Sequence, residues 1–89
     1  MVRLFVRHTV HSYSAWRAVY DNFDSTRRSM GVTAHAVYRN VDDENDITIS
    51  HDFETLEAAR VLTGSSELRE AMGKAGVAGA PQIWFVQEA

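Results

Sequence analysis

The chain contains no cysteine, which excludes a disulfide framework, thiolate metal sites, iron–sulfur clusters and a cysteine nucleophile. Positive charge is also scarce: 9 Lys and Arg against 12 Asp and Glu give a net charge of −3, whereas a nucleic-acid-binding domain normally presents a basic face. No apolar run approaches the length of a membrane span, and Arg3 and Arg7 interrupt the N-terminus where a signal peptide would be apolar. We therefore expect a cytoplasmic protein that binds neither nucleic acid nor membranes.

The pattern of apolar residues predicts one domain over residues 1–89, because 89 residues leave no room for a second. Alternation of apolar and polar residues indicates strands, and apolar residues three or four positions apart indicate helices. Gly31 stands where a helix would end, and Gly64 interrupts the second helix. The predicted elements are strands over 2–10, 32–40, 47–53 and 83–86, and helices over 13–30 and 55–75. The acidic run 42–46 and the small-residue segment 76–81 are predicted to be loops.

The resulting order, βαββαβ, is that of a ferredoxin-like α+β domain. Right-handed crossovers and short hairpins favour a four-stranded antiparallel sheet with strand order 4-1-3-2 and both helices on one face. The apolar side of the first and third strands then lies under the helices, and it comprises Val2, Leu4, Val6, Ile47 and Ile49.

The opposite sheet face is predicted to carry a mixture of apolar and charged residues with no element left to cover it. These residues are Arg3, Phe5, Arg7 and Asp52, with either Ile83 and Phe85 or Trp84 and Val86. Because a bare apolar patch of this kind is unfavourable in water, a second copy of the sheet is expected to cover it in a two-fold homodimer. Trp84 then lies either in a pocket or in the dimer interface, and the interface is favoured.

The strand and helix segments read RLFVRHTV, YSAWRAVYD, GVTAHAVYRN and SSELREAMGKAGVAGAPQIWF, with an acidic hairpin before the last. Together they resemble the dimeric α/β-barrel superfamily, in particular short bacterial cyclase-like and antibiotic-biosynthesis-monooxygenase-like proteins. The resemblance implies two sheets stacked into a barrel across a two-fold axis, with a small-molecule pocket between sheet and helices. Members of the superfamily include cofactor-independent oxygenases and cyclases that act on aromatic polyketides, haem-degrading enzymes, and proteins without known activity. Haem-degrading members hold iron with a helical histidine, which the predicted helices lack, so no cofactor is expected.

Histidines are the best candidates for chemistry, because no phosphate loop, nucleophile elbow or metal-ligand motif is present. The His8–His11 spacing on a strand that runs into a loop does not place both imidazoles on one face, so no metal site is expected. His8 and His51 extend the apolar sides of neighbouring strands and are the predicted catalytic residues, since imidazole titrates near neutral pH. The alternative is that both are hydrogen-bonded core histidines.

The predicted substrate-binding residues are Trp16, Tyr20, Phe23, Tyr38 and His35. The first three form the aromatic stripe of the first helix, for which core packing is the alternative. The predicted function is a cofactor-independent cyclase or monooxygenase acting on a small aromatic or polyketide-type substrate. A non-catalytic dimeric binding module, or a scaffold whose aromatic residues fill its own cavity, would produce a similar sequence.

Overall fold

The computed structural model describes residues 1–89. Its elements are β1 (Val2–Val10), α1 (Tyr13–Asn22), α2 (Asp24–Ser29), β2 (Ala34–Asn40), β3 (Asp43–Phe53), α3 (Leu56–Thr63), α4 (Ser66–Lys74) and β4 (Val77–Val86). The four antiparallel strands form one sheet in the order β2-β3-β1-β4, which confirms the predicted ferredoxin-like order. None of the helices is long and apolar enough to cross a membrane.

The core lies between the helices and one face of the sheet. On this face His8 lies opposite Ile47 and His51 lies opposite Leu4, so two histidines extend an otherwise apolar surface. Leu4 is fully buried, and burial of one such side chain contributes about 1.5–3 kcal/mol to folding. The buried apolar residues are Val2, Leu4, Val6, Val10, Trp16, Tyr20, Val32, Ile47, Ile49, Phe53, Ala59, Leu62 and Ala75.

The single helix predicted over 13–30 is wrong, because the chain forms two helices that meet at Phe23. The amide N–H of Phe23 donates to the Tyr20 carbonyl oxygen at 3.2 Å, which tightens the last turn of α1. The guanidinium of Arg27 donates to the same carbonyl oxygen at 2.6 Å, and arginine side chains commonly satisfy the last carbonyl groups of a helix in this way. Arg27 therefore lies buried at the junction of α1 and α2.

Two segments predicted to be loops belong to strands. Most of the acidic run 42–46 lies in β3, where Asp46 pairs with Arg7 at 2.7 Å and Asn45 accepts the amide N–H of Tyr13 at 3.0 Å. Most of the segment 76–81 lies at the start of β4, whose pairing with β1 shifts register beside His8. In both segments, pairing with a neighbouring strand satisfies the backbone hydrogen-bonding groups. The small or charged side chains of these segments do not indicate a strand, which is why the sequence predicted loops.

The outer face of the sheet carries Trp84 and Val86 from β4, which lie opposite Phe5 and Arg3 of β1. The register of β4, which the sequence left open, is therefore the one that turns Trp84 away from the helices. The rings of Phe5 and Trp84 stack at 5.4 Å, and Trp84 remains 41% exposed. Arg3 pairs with Asp52 through two hydrogen bonds of 2.7 and 3.1 Å on the same face.

Candidate functional site

A small cavity lies between the helix-side face of the sheet and helices α1, α2 and α4. Its volume is about 40 Å³, and a single water needs about 10–15 Å³ of such space. The lining is mostly apolar, with polar groups from two histidines, a tyrosine and an arginine. The lining residues are Leu4, Val6, His8, Trp16, Val19, Tyr20, Phe23, Arg27, Ile49, His51, Leu68, Ala71, Met72 and Ala75.

His8 is buried in the cavity wall with no hydrogen-bond partner on either ring nitrogen. The alternation of β1 places it on the core side, and the edge of its ring meets Trp16 at 5.9 Å between centroids. Burial lowers the pKa of His8, because a charged imidazole loses its hydration there. Unpartnered buried polar atoms cost free energy, so a water or a polar ligand group beside His8 would be stabilising.

His51 lies in the same wall, opposite His35 in the pairing of β2 with β3. Its Nε2 lies 3.4 Å from the Tyr20 hydroxyl, while its Nδ1 has no partner. Burial lowers the pKa of His51 to about 4, and the positive charge of Arg27 contributes in the same direction. The imidazole is therefore neutral at pH 7 and presents one basic nitrogen.

Tyr20 connects the interior to the surface. Its hydroxyl lies 2.9 Å from Nδ1 of His35, and Nε2 of His35 lies 3.5 Å from Oδ1 of Asp24. Burial raises the pKa of Tyr20, so the phenol stays protonated at neutral pH. The His35 and Asp24 side chains are each 33% exposed, so this chain of polar groups ends in solvent.

Arg27 is the most deeply buried charge in the structure, with 2% of its surface exposed. Its guanidinium lies 3.7 Å from the centroid of the Tyr20 ring, donates to Asp24 at 3.3 Å, and caps α1. Its Nε has no partner. One N–H donor of a buried cation therefore remains available beside a cavity that the same residue lines.

The aromatic residues of α1 form one wall of the cavity. Trp16 stacks on Tyr20 at 4.8 Å between ring centroids, and Phe23 continues the wall. Phe23 also lines an outer groove of about 320 Å³ between α1 and α4, together with Val19 and Ala71. Helix α4 has no buried residue, so at the seam between α1 and α4 the cavity is closed only by partly buried side chains of α4.

The structure brings most of the predicted site residues together. His8, His51, Trp16, Tyr20 and Phe23 all line the cavity, and their catalytic or binding roles stay predictions. His35 does not line it but reaches it through Tyr20.

Tyr38 is the exception among the predicted site residues. It lies opposite Thr48, on the outer sheet face, and is 58% exposed. The sequence placed it correctly in a strand, but its face depends on the pairing register of β2, where a shift of one residue exchanges the two faces. The structure therefore does not bring the Tyr38 hydroxyl to the cavity.

Arg27 and Asp24 are the residues that sequence reasoning missed. Arg27 follows Tyr20 by seven positions, which is two helical turns, so it was a cation on the aromatic stripe of the predicted helix. Its position on that stripe was the sequence signal that could have indicated its burial.

No group of three His, Asp or Glu side chains is arranged to hold a metal ion.

Comparison with solved structures identifies the fold. A protein from Bordetella bronchiseptica, assigned as an antibiotic biosynthesis monooxygenase, superposes with a TM-score of 0.85 at 17% identity, over 99% of this chain and 96% of that one. SnoaB, a cofactor-independent oxygenase from Streptomyces nogalater, gives 0.77 at 15% identity, over 99% and 94%. The chain has the fold of the antibiotic biosynthesis monooxygenases.

A third structure, from Nitrosomonas europaea and with the same assignment, gives a TM-score of 0.77 at 13% identity, over 99% of this chain and 98% of that one. No protein-family model matches the sequence, and no curated protein matches it. The predicted fold is therefore confirmed. Identities this low carry no residue roles from one protein to another.

Proposed function

We propose that the protein is a cofactor-independent oxygenase that acts on a small aromatic substrate with an ionisable oxygen. The observation that supports this most strongly is the cavity itself, where His8, His51 and Arg27 each present a buried polar atom without a partner. Buried polar atoms are nearly always hydrogen-bonded, so an apolar cavity with several unpartnered ones suits a ligand with oxygen atoms at its edges.

The groups in this cavity match the needs of oxidation by molecular oxygen. A neutral His51 can accept a proton from an acidic C–H or O–H of the substrate, and the Arg27 Nε–H can hold the resulting oxyanion. The electron-rich anion then reduces dioxygen and forms a C–O bond with it, and loss of water from the hydroperoxide leaves a carbonyl group. For anthrone, C14H10O and O2 become C14H8O2 and H2O. The ring CH2 is oxidised to a carbonyl group, and one oxygen atom of O2 enters that carbonyl while the other leaves as water.

The size of the cavity requires it to open. Sites that enclose drug-sized ligands measure about 300–1,000 Å³, far more than the roughly 40 Å³ between α1 and the sheet. We expect α4 to move outward at the seam with α1, because no residue of α4 is buried and Ala71 borders both the cavity and the outer groove. A substrate with two fused rings then requires a smaller outward movement of α4 than a substrate with three.

A cyclase is the second candidate, since proton transfer by His51 would also serve enolisation and ring closure. The structural neighbours include proteins assigned as monooxygenases and a cofactor-independent oxygenase, which favours oxidation. A binding module would use the same cavity without turnover. A scaffold with a filled interior fits least well, since space remains beside His8 and His51.

The test is oxygen uptake by the purified protein with 1-naphthol or anthrone in air, with quinone formation followed by absorbance. We expect one O2 consumed per quinone formed, no loss of rate with a metal chelator, and a loss of at least tenfold in His51→Gln. The matched control is His11→Gln, because His11 is exposed and outside the cavity. Binding of either compound without oxygen uptake would instead support the binding module.

We also propose that the protein is a homodimer that pairs its outer sheet faces. The Phe5–Trp84 stack provides an apolar centre, and the charges of Arg3 and Arg7 are already matched by Asp52 and Asp46 within the same face. A second copy could therefore cover this face without meeting unbalanced charge.

Location in the cytoplasm stays a prediction from the sequence.

Sedimentation at micromolar concentration tests the dimer. We expect wild type at twice the 10.0 kDa mass of the chain and Trp84→Glu at the monomer mass, because a charge in a covered apolar centre opposes association. Val61→Glu is the matched control, since Val61 is exposed on α3. A folded wild-type monomer at this concentration would refute the dimer.

A further inference from the structure

Four polar side chains form a continuous path from the cavity wall to the surface. His51 Nε2 lies 3.4 Å from the Tyr20 hydroxyl, that hydroxyl lies 2.9 Å from His35 Nδ1, and His35 Nε2 lies 3.5 Å from an oxygen of Asp24. Of the four, only His51 and Tyr20 line the cavity. The position of the cavity alone would therefore assign no role to His35 or Asp24.

The carboxylate at the outer end gives this path a direction. An oxygen of the Asp24 carboxyl group lies 3.5 Å from His35 Nε2 and favours the tautomer of His35 that carries its proton on Nε2 and leaves Nδ1 as an acceptor. The Tyr20 hydroxyl has one hydrogen and donates it to that Nδ1, which leaves its oxygen to accept from Nε2 of His51. His51 is then protonated on Nε2, and its Nδ1 keeps a free lone pair.

We infer that Asp24, acting through His35 and Tyr20, holds His51 as the Nε2–H tautomer and forms a proton relay between the cavity and solvent. The free nitrogen is the one that has no protein partner, in a side chain that lines the cavity. Tyr20, His35 and Asp24 are positioning residues in this account, because they act on a bound molecule only through His51.

When the following transfers occur together, one proton moves outward and no interior group is left charged. Both imidazoles end in their opposite tautomers and must return to the starting ones before the next transfer. A proton taken up at His51 Nδ1 is followed by transfer of the Nε2 proton to Tyr20, of the Tyr20 proton to His35 Nδ1, and of the His35 Nε2 proton to Asp24. Asp24 is one-third exposed and returns the proton to water. A cavity base that holds a proton weakly, because burial lowers its pKa, is suited to passing it on.

Other charges around His51 do not change this direction. Arg27 bears its positive charge beside Tyr20 and donates to the same oxygen of Asp24 that lies near His35. Asp52 follows His51 in the chain but is occupied by Arg3 on the outer face. The only hydrogen-bond partner of the His51 ring in the structure is therefore Tyr20.

The tautomer of His51 can be measured directly, without a substrate, by nitrogen-15 NMR of the histidine rings at pH 7.5. In wild type we expect His51 to be protonated on Nε2. In His35→Phe the Tyr20 hydroxyl loses its outer acceptor and donates to His51 Nε2 instead, so His51 is expected to change to the Nδ1–H form. His11→Phe replaces an exposed histidine outside the path and is expected to leave the tautomer unchanged.

The relay is overturned if wild-type His51 carries its proton on Nδ1, or if His35→Phe leaves the tautomer of His51 as it was. Its consequence for turnover rests on the proposed function: we expect His35→Phe to lower kcat at least tenfold with KM nearly unchanged. Absence of turnover in every variant would refute the oxygenase alone, because the tautomer result stands without it. A changed tautomer with unchanged kcat would refute the proton transfer.

Discussion

The burial of His51 predicts that the protein loses stability as the pH falls from 7 to 5. The pKa of His51 is about 4 in the folded chain against an ordinary value of 6.5, so the unfolded chain binds more protons below pH 6.5 and is favoured there. For these two pKa values, at 1.36 kcal/mol per pKa unit, the free energy of unfolding falls by about 2 kcal/mol between pH 7 and pH 5. The loss is complete below about pH 4, where both states are protonated.

Urea denaturation at pH 7 and pH 5, followed by circular dichroism at one protein concentration, measures this loss. We expect His51→Gln to remove most of the pH dependence, with a remainder from His8, whose pKa is also lowered by burial. His11→Gln should keep the wild-type dependence. Asp46 and Asp52, whose pKa values are lowered by arginine partners, titrate below this interval. Equal stability of wild type at the two pH values would refute the placement of His51 in the core.

Three further changes test separate parts of the structure. Arg27→Met should lower the free energy of unfolding by about 1–3 kcal/mol because it removes the charged hydrogen bond to the Tyr20 carbonyl oxygen, whereas exposed Arg28→Met should change it by less than about 0.5 kcal/mol; equal effects in urea denaturation would contradict the capping role. Gly76→Ala should destabilise by about 1 kcal/mol because Gly76 has a φ of +74°, and its thermal midpoint should fall below that of wild type. Ala71→Trp should weaken anthrone binding at least tenfold in fluorescence titration because Ala71 lines the cavity, and unchanged binding would show that anthrone does not occupy the space beside Ala71.

The fold could be predicted because its signals are local. The alternation along residues 2–10 fixes which side of β1 is buried, and the structure has the same pattern. Ser12, Thr55 and Ser65 directly precede α1, α3 and α4, and their hydroxyl groups accept hydrogen bonds from backbone N–H groups of those helices. Such signals act within a few residues and do not depend on the rest of the chain.

The candidate site could be predicted only in part, because several of its contacts depend on distant pairing. His8 and His51 were found from the alternation of their own strands, whereas the neighbours His35 and His51 meet only through the register of β2. Arg27 was missed because an arginine on a helix is ordinarily exposed, whereas this one is buried and donates to the Tyr20 carbonyl oxygen. Tertiary contacts, rather than local pattern, place the charge beside the cavity.

The central claim is that the cavity beneath α1 is the substrate site. A crystal structure of the protein with anthrone, prepared without oxygen, tests this most directly. We predict the ring system between the aromatic wall of α1 and the sheet, with its oxygen within hydrogen-bond distance of Arg27 Nε and its reactive carbon next to His51 Nδ1. Anthrone bound only on the outside of the protein, with α4 closed and the cavity unchanged, would contradict the account.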